Sequence, residues 1–110
     1  MNRFSLMIAT LLTFALLAVA APADGTWTNT NSGQGAPVTL TLQVNGNALL
    51  GTSDGIGISN GKAEGASVWF TAVRGGQVYT YKGTITGNIL KLSETRSDGT
   101  GLRSLVFSHQ

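Results

Sequence analysis

From Thr26 to the C-terminus, apolar and polar residues alternate in short runs separated by glycine. The run "VTLTLQV" at 38–44 is strict. Val38, Leu40, Leu42 and Val44 fall on one side, and Thr39, Thr41 and Gln43 on the other. A period of two marks a strand with one buried face and one wet face. "SVWFTAV" (67–73), "QVYTYKGTIT" (77–86), "ILKLSETR" (89–96) and "GLRSLVFSH" (101–109) repeat it, and "WTNT" (27–30) and "ALLGTS" (48–53) are shorter versions. "DGIGISNGKA" (54–63) is glycine-rich and reads as one weak strand. No run in this region has a helical period. Turn chemistry falls between the runs, at Gly46, Glu64-Gly65, "RGG" (74–76), Gly87-Asn88 and Asp98-Gly99. Asn-Gly pairs in particular accept the positive φ that two-residue hairpins demand.

About eight strands at roughly ten-residue spacing, joined by tight turns, predict an all-β, antiparallel up-and-down meander. Closing it into a small barrel would remove exposed edges. A two-sheet sandwich is the alternative, although connections this short argue against Greek-key crossovers.

Zipping the last three strands about Gly87-Asn88 and Asp98-Gly99 assigns their faces. Ile85 then opposes Leu90, Gly83 opposes Leu92, Tyr81 opposes Glu94 and Tyr79 opposes Arg96. On the other side Leu90 meets Phe107, Leu92 meets Leu105, Glu94 meets Arg103 and Arg96 meets Gly101. Thr80, Lys82, Thr84, Lys91, Ser93 and Thr95 face solvent, and a one-residue slip would bury the lysines. The inner row is apolar at one end and polar at the other, where Tyr79, Tyr81, Glu94, Arg96 and Arg103 gather. That polar end also carries 31–36, 53–57, 74–76 and 97–101, which read as the longer loops. Turns at Gly46, Gly65 and Gly87 shut the opposite end. A barrel holds ligands at such an open end.

Two readings of the polar group compete. As a ligand mouth, arginine forks would take a carboxylate or sulfate, and tyrosines would stack on a ring. As a plug, Glu94 would pair with Arg103 across the ladder, with Arg96 diagonal and the Tyr81 hydroxyl adding a hydrogen bond. Such a network persists only if every member is satisfied.

Residues 1–20 form a separate unit. Arg3 precedes an apolar run from Phe4 to Val19, followed by the small-x-small stretch "AVA" ending at Ala20. This is the pattern of a secretory signal peptide. Cleavage is expected after Ala20, or else after Ala23, leaving one barrel domain over 24–110 in a secreted or periplasmic location. An uncleaved anchor is the alternative, but the run is short of the roughly 20 apolar residues a span needs.

Of the 7 basic residues Arg3 leaves with the leader, and the rest nearly balance 5 acidic ones. Near neutrality without a basic stripe argues against nucleic acid as a partner. After signal cleavage no membrane association is expected, and the domain should be a monomer. With no cysteine, disulfides play no part. Catalysis finds little to use. His109 is one residue from the end, where chains fray, and a nucleophile triad needs an imidazole held between two partners. Asp54 and Asp98 sit at glycine turns and Asp24 near the frayed start, so no metal site or cofactor is expected. Glu94 is the only acid placed on the inner face, and paired-carboxylate hydrolysis is a distant third reading.

Taken in order, "DGTW", "VTLTLQVNGNALLGT", "ISNGKAEGASVWFTAVR", "YTYKGTITGNILKLSETRSDG" and "LVFSH" resemble a family of small exported β-domains from environmental bacteria. The resemblance covers essentially the whole chain after the leader. It implies a fold and carries no established activity. Trp27, Phe70 and Phe107 are expected to be structural core residues. A weaker similarity runs to avidin- and lipocalin-like barrels, through Gly25-Thr26-Trp27 opening the meander. It implies that Trp27 packs at the barrel base near Phe107. The late arginine of lipocalins does not carry over, because Arg103 falls at the other end, and biotin binding is not supported. The sequence thus predicts an exported, non-enzymatic barrel that binds a small organic ligand or glycan at its loop-rich end. The alternative is a structural or protein-interaction domain with a plugged interior, which exposed Trp69 and Leu50 would favour.

Overall fold

The computed structural model describes residues 21–29 and 37–110. The leader and the 31–36 loop therefore lie outside the described residues. Among the described residues nine strands follow in chain order: β1 (Gly25–Asn29), β2 (Thr39–Asn45), β3 (Ala48–Ser53), β4 (Ile56–Gly57), β5 (Ser59–Glu64), β6 (Ser67–Arg74), β7 (Gln77–Thr86), β8 (Ile89–Arg96) and β9 (Arg103–His109). Each neighbour in the series β1-β2-β3-β5-β6-β7-β8-β9 is antiparallel, and β9 returns to β1, which closes an eight-stranded barrel. The sandwich is therefore excluded.

The ninth strand comes from the glycine-rich stretch, which is two elements rather than one. Asp54 (φ 52°) and Gly55 (φ 84°) form a two-residue turn that folds β4 back onto β3 outside the ring. The chain rejoins the barrel as β5, with a register shift between Ser59 and Lys62 where Asn60 also has positive φ. Neither 53–57 nor 74–76 is a long loop, since Gly75 and Gly76 have φ of 58° and 80° and Arg74 pairs directly with Gln77. Two successive positive φ values match the twist of the flanking strands, so the hairpins close as tightly as possible.

The registers of β7–β8 and β8–β9 follow the alternation residue for residue, including Tyr81 opposite Glu94 opposite Arg103. Inward positions build one core around Trp27, Leu40, Phe70, Tyr81, Leu90 and Phe107, each at most 1% exposed. Gly83 interrupts the row because it has no room for a side chain. A Cβ there would run into the Lys91 carbonyl and a Leu92 methyl.

The tight-turn end is sealed by backbone as well as by side chains. Each turn accepts a bond from the chain beside it: Ala63 N–H to Asn47 O, Ile85 N–H to Ala66 O and His109 N–H to Asn88 O, all 2.9 Å. Trp27 lies across this base, donating Nε1–H to Ala23 O at 3.0 Å. His109 stands edge-on to the indole, centroids 4.7 Å apart, and its Nε2 faces Asp24 O at 2.9 Å. Asp24 in turn accepts the Val44 N–H at 2.7 Å and the Ala21 N–H at 3.1 Å. The expected fraying of Asp24 and His109 is therefore overturned, because the two residues hold each other across the barrel floor. Gly25 (φ 126°) must be glycine here, since a Cβ would strike the His109 ring. Among the described residues no helix is long and apolar enough to cross a membrane.

Candidate functional site

The polar end of the barrel is assembled from positions on six strands. Glu94 is 1% exposed, and both of its oxygens are engaged. Oε2 accepts the Tyr81 hydroxyl at 2.7 Å, while Oε1 accepts Arg103 Nε–H at 3.0 Å and Nη2–H at 2.6 Å. Adjacent ladder positions make this possible, because all three residues occupy one rung across β7, β8 and β9. Tyr81 is fully enclosed and stacks on Phe70, with centroids 4.8 Å apart and planes at 17°. The Arg103 side chain is 34% exposed, so its far edge reaches water. Tyr79 is half-buried at the edge of the core. Arg96 keeps its ladder position opposite Tyr79 and diagonal to Arg103, but its side chain does not stay inside the barrel. It is exposed, its guanidinium lies against Gly101, and its charge helps to lower the pKa of Asp98.

Sequence reasoning missed the second half of this end. Arg74, read as part of a turn, shares the inward parity of Phe70 and Ala72 and reaches over the mouth. Its Nη2 donates to Asp54 Oδ2 at 2.9 Å, and the two side chains are 19% and 29% exposed. Asp54 is itself pinned, accepting Val38 N–H at 3.1 Å and Thr39 N–H at 2.9 Å. Beside it the Ser53 hydroxyl points inward. Ser53 Oγ and Arg74 Nη1 are both buried and have no hydrogen-bond partner among the described residues. Asn29 closes the group from β1, donating Nδ2–H to Pro37 O at 3.0 Å. The parity of Arg74 was the available signal for this half.

Around these polar groups runs an apolar collar. Val38, Ile56, Val73, Val78 and Leu102 are 39–72% exposed, and all lie at the mouth end of their strands or loops. Of the large exposed apolar residues among those described, only Leu50 lies away from the mouth, and Trp69 is half-buried on the outer wall.

Burial, the hydrogen bond to Glu94 and that carboxylate's charge hold the Tyr81 phenol far above its ordinary value. The consequence is a one-sided pH dependence. Below about pH 10 both folded and unfolded chains keep the proton. Above it the unfolded chain releases the proton while the folded one retains it. Stability should then fall by about 1.4 kcal/mol per pH unit above roughly pH 10. Urea denaturation between neutral and strongly alkaline pH checks this, and Tyr81→Phe should flatten the slope. An equal slope in that variant would place the loss elsewhere.

Asp98 accepts the Thr100 hydroxyl at 2.6 Å and the Thr100 N–H at 2.9 Å, which holds its carboxyl below the usual range and makes it a turn residue. Among the described residues no three His, Cys, Asp or Glu side chains gather as a metal site would require. His109 points both ring nitrogens at backbone carbonyls, of Asp24 and Gln110, so it serves the barrel floor. Compared with protein-family models, with curated proteins and with solved structures, the chain finds no match in any of the three.

Proposed function

We propose that this is an exported, non-enzymatic module that binds a small organic ligand or glycan at the polar end of its barrel. One observation carries the reading: two buried polar groups at the mouth, Arg74 Nη1 and Ser53 Oγ, have no hydrogen-bond partner among the described residues. A buried polar group left unmade costs about 1–3 kcal/mol, and an incoming acceptor recovers it. An organic acid or a sugar hydroxyl would supply that acceptor, and the apolar collar would cover the body of the ligand. Tyr79, Arg96 and the outer edge of Arg103 are the sequence-derived candidates left on the accessible side. Tyr81 and Glu94 support them from beneath. The resemblance to small exported β-domains and to avidin- and lipocalin-like barrels belongs to this proposal. So does export by cleavage after Ala20, which keeps Ala23 to hold Trp27, whereas a cut after Ala23 would split that floor.

A thermal-shift screen against organic acids, glycans and hydrophobic ligands tests it. A ligand at 100 times its Kd should stabilise by about 2.7 kcal/mol. Arg74→Met should abolish the shift. A flat screen at millimolar concentrations, or a shift unchanged in that variant, rejects the mouth as the site.

The second reading, a structural or protein-interaction domain, is favoured by a different observation. Glu94 is sealed by Tyr81 and Arg103, which supports a plugged interior below the mouth. Under it the exposed collar would meet a protein surface rather than a small molecule.

A further inference from the structure

The outer wall sorts charge in a way the mouth does not explain. The chain has three lysines, Lys62, Lys82 and Lys91, and all three are exposed on one wall, on β5, β7 and β8. Among the described residues none of them is in an ion pair, because the pairs formed are Arg74–Asp54 and Arg103–Glu94. Trp69 stands between two of them, directly opposite Lys62 on one side and Lys82 on the other. Beyond Lys82 the same rung continues through Ser93 to Ser104, and the next one runs from Ser67 through Thr84 and Lys91 to Val106. The wall also carries one acid, Glu64, at the β5–β6 turn.

This wall is grooved. A hollow of about 300 Å³ lies over β7–β9, framed by Lys82, Thr84, Lys91, Ser93, Ser104 and Val106. A second, of about 230 Å³, is lined by Thr86, Ile89 and Lys91. The two share Lys91, so they form one extended track running toward the sealed end. Lys82 and Lys91 are diagonal neighbours on adjacent strands, about 7–8 Å apart at the backbone.

We infer that this wall is a second binding site, independent of the mouth, for an anionic polysaccharide laid along the groove. Each feature has a counterpart in such a polymer. The lysines meet carboxylates or sulfates repeated along the chain, and as compact point charges they tolerate either. The serine and threonine hydroxyls match sugar hydroxyls as both donors and acceptors. Trp69, half-buried between lysines, offers a flat face to the C–H side of a pyranose ring. A nucleic acid would need more positive charge and a series of stacking aromatics. An anionic membrane would need an exposed apolar group to insert, whereas Trp69 is half-buried and the groove is framed mainly by lysine, serine and threonine.

The test is binding of the protein to polygalacturonate and to its fully methyl-esterified form, which has the same backbone without the charges. Polygalacturonate is expected to bind at least about tenfold more tightly, and to weaken as salt is raised. Lys82→Gln combined with Lys91→Gln should cost a further factor of about ten or more with an unchanged melting temperature, and Arg74→Met should leave the affinity alone. Equal affinity for the ester would overturn the proposal, as would no binding to polygalacturonate at low salt. So would loss of binding through Arg74 rather than the lysines, which would assign the polymer to the mouth. Tighter binding to single-stranded DNA or to phosphatidylglycerol vesicles would replace the polysaccharide with that partner.

Discussion

Trp27→Ala should destabilise the barrel by about 3–5 kcal/mol, the range for deleting a large aromatic from a packed core. Trp27 has no exposed surface and forms the floor of the sealed end. Its loss would leave a cavity that the rigid turns around it cannot collapse into, because each is tied to the next by backbone hydrogen bonds. Two further contacts go with the ring. The Ala23 carbonyl loses its donor, and His109 loses the edge of the indole. At about 4–8 °C per kcal/mol for a domain of this size, the melting temperature should drop by at least about 12 °C. Trp27→Phe should cost markedly less, since most of the volume is kept and only the Nε1 bond is lost. Urea denaturation with an unchanged m-value checks both. A loss below about 1 kcal/mol for the alanine variant would mean that the floor is held by something else.

Glu94→Ala should cost about 2–4 kcal/mol, and for a different reason. Little apolar surface is lost. The cost arises because two groups selected by their partner are left without it. The Tyr81 hydroxyl is enclosed and loses the acceptor of its hydrogen bond, and Arg103 loses two hydrogen bonds to Oε1. Breaking a fully buried pair costs roughly 3–5 kcal/mol, and Arg103 reduces that because its exposed edge can turn to water. Glu94→Gln separates shape from charge. It keeps an acceptor for one partner and gives up the carboxylate's second oxygen, so an intermediate loss is expected. Denaturation of both variants at neutral pH checks the order, and an unchanged melt for alanine would contradict the enclosed placement.

Where the sequence alternated strictly, the fold could be read from it. The registers of β7, β8 and β9 follow from turn position and parity, because slipping any of them would bury Lys82 or Lys91. The rung of Tyr81, Glu94 and Arg103 follows from the same reasoning. The stretch from Asp54 to Ala63 could not be read in this way. Glycine supplies no side chain to set a face there, and the positive φ of Asp54 and Asn60 is set by the surrounding ladder. Arg74 was hidden by its neighbours. Two glycines after it suggest a loop, yet the hairpin is tight enough to keep Arg74 in strand geometry and facing inward. Asp24 and His109 needed tertiary information. Their contact joins opposite ends of the chain, and nothing local announces it.

A double-mutant cycle between Glu94 and Arg103 tests the central claim most directly, that a sealed charge network plugs the barrel beneath its mouth. Measured by urea denaturation with Glu94→Ala, Arg103→Ala and the double variant, the coupling should be about 1–3 kcal/mol, with the double variant less unstable than the sum of the singles. Additive losses, with coupling indistinguishable from zero, would show that the two side chains do not meet inside the barrel.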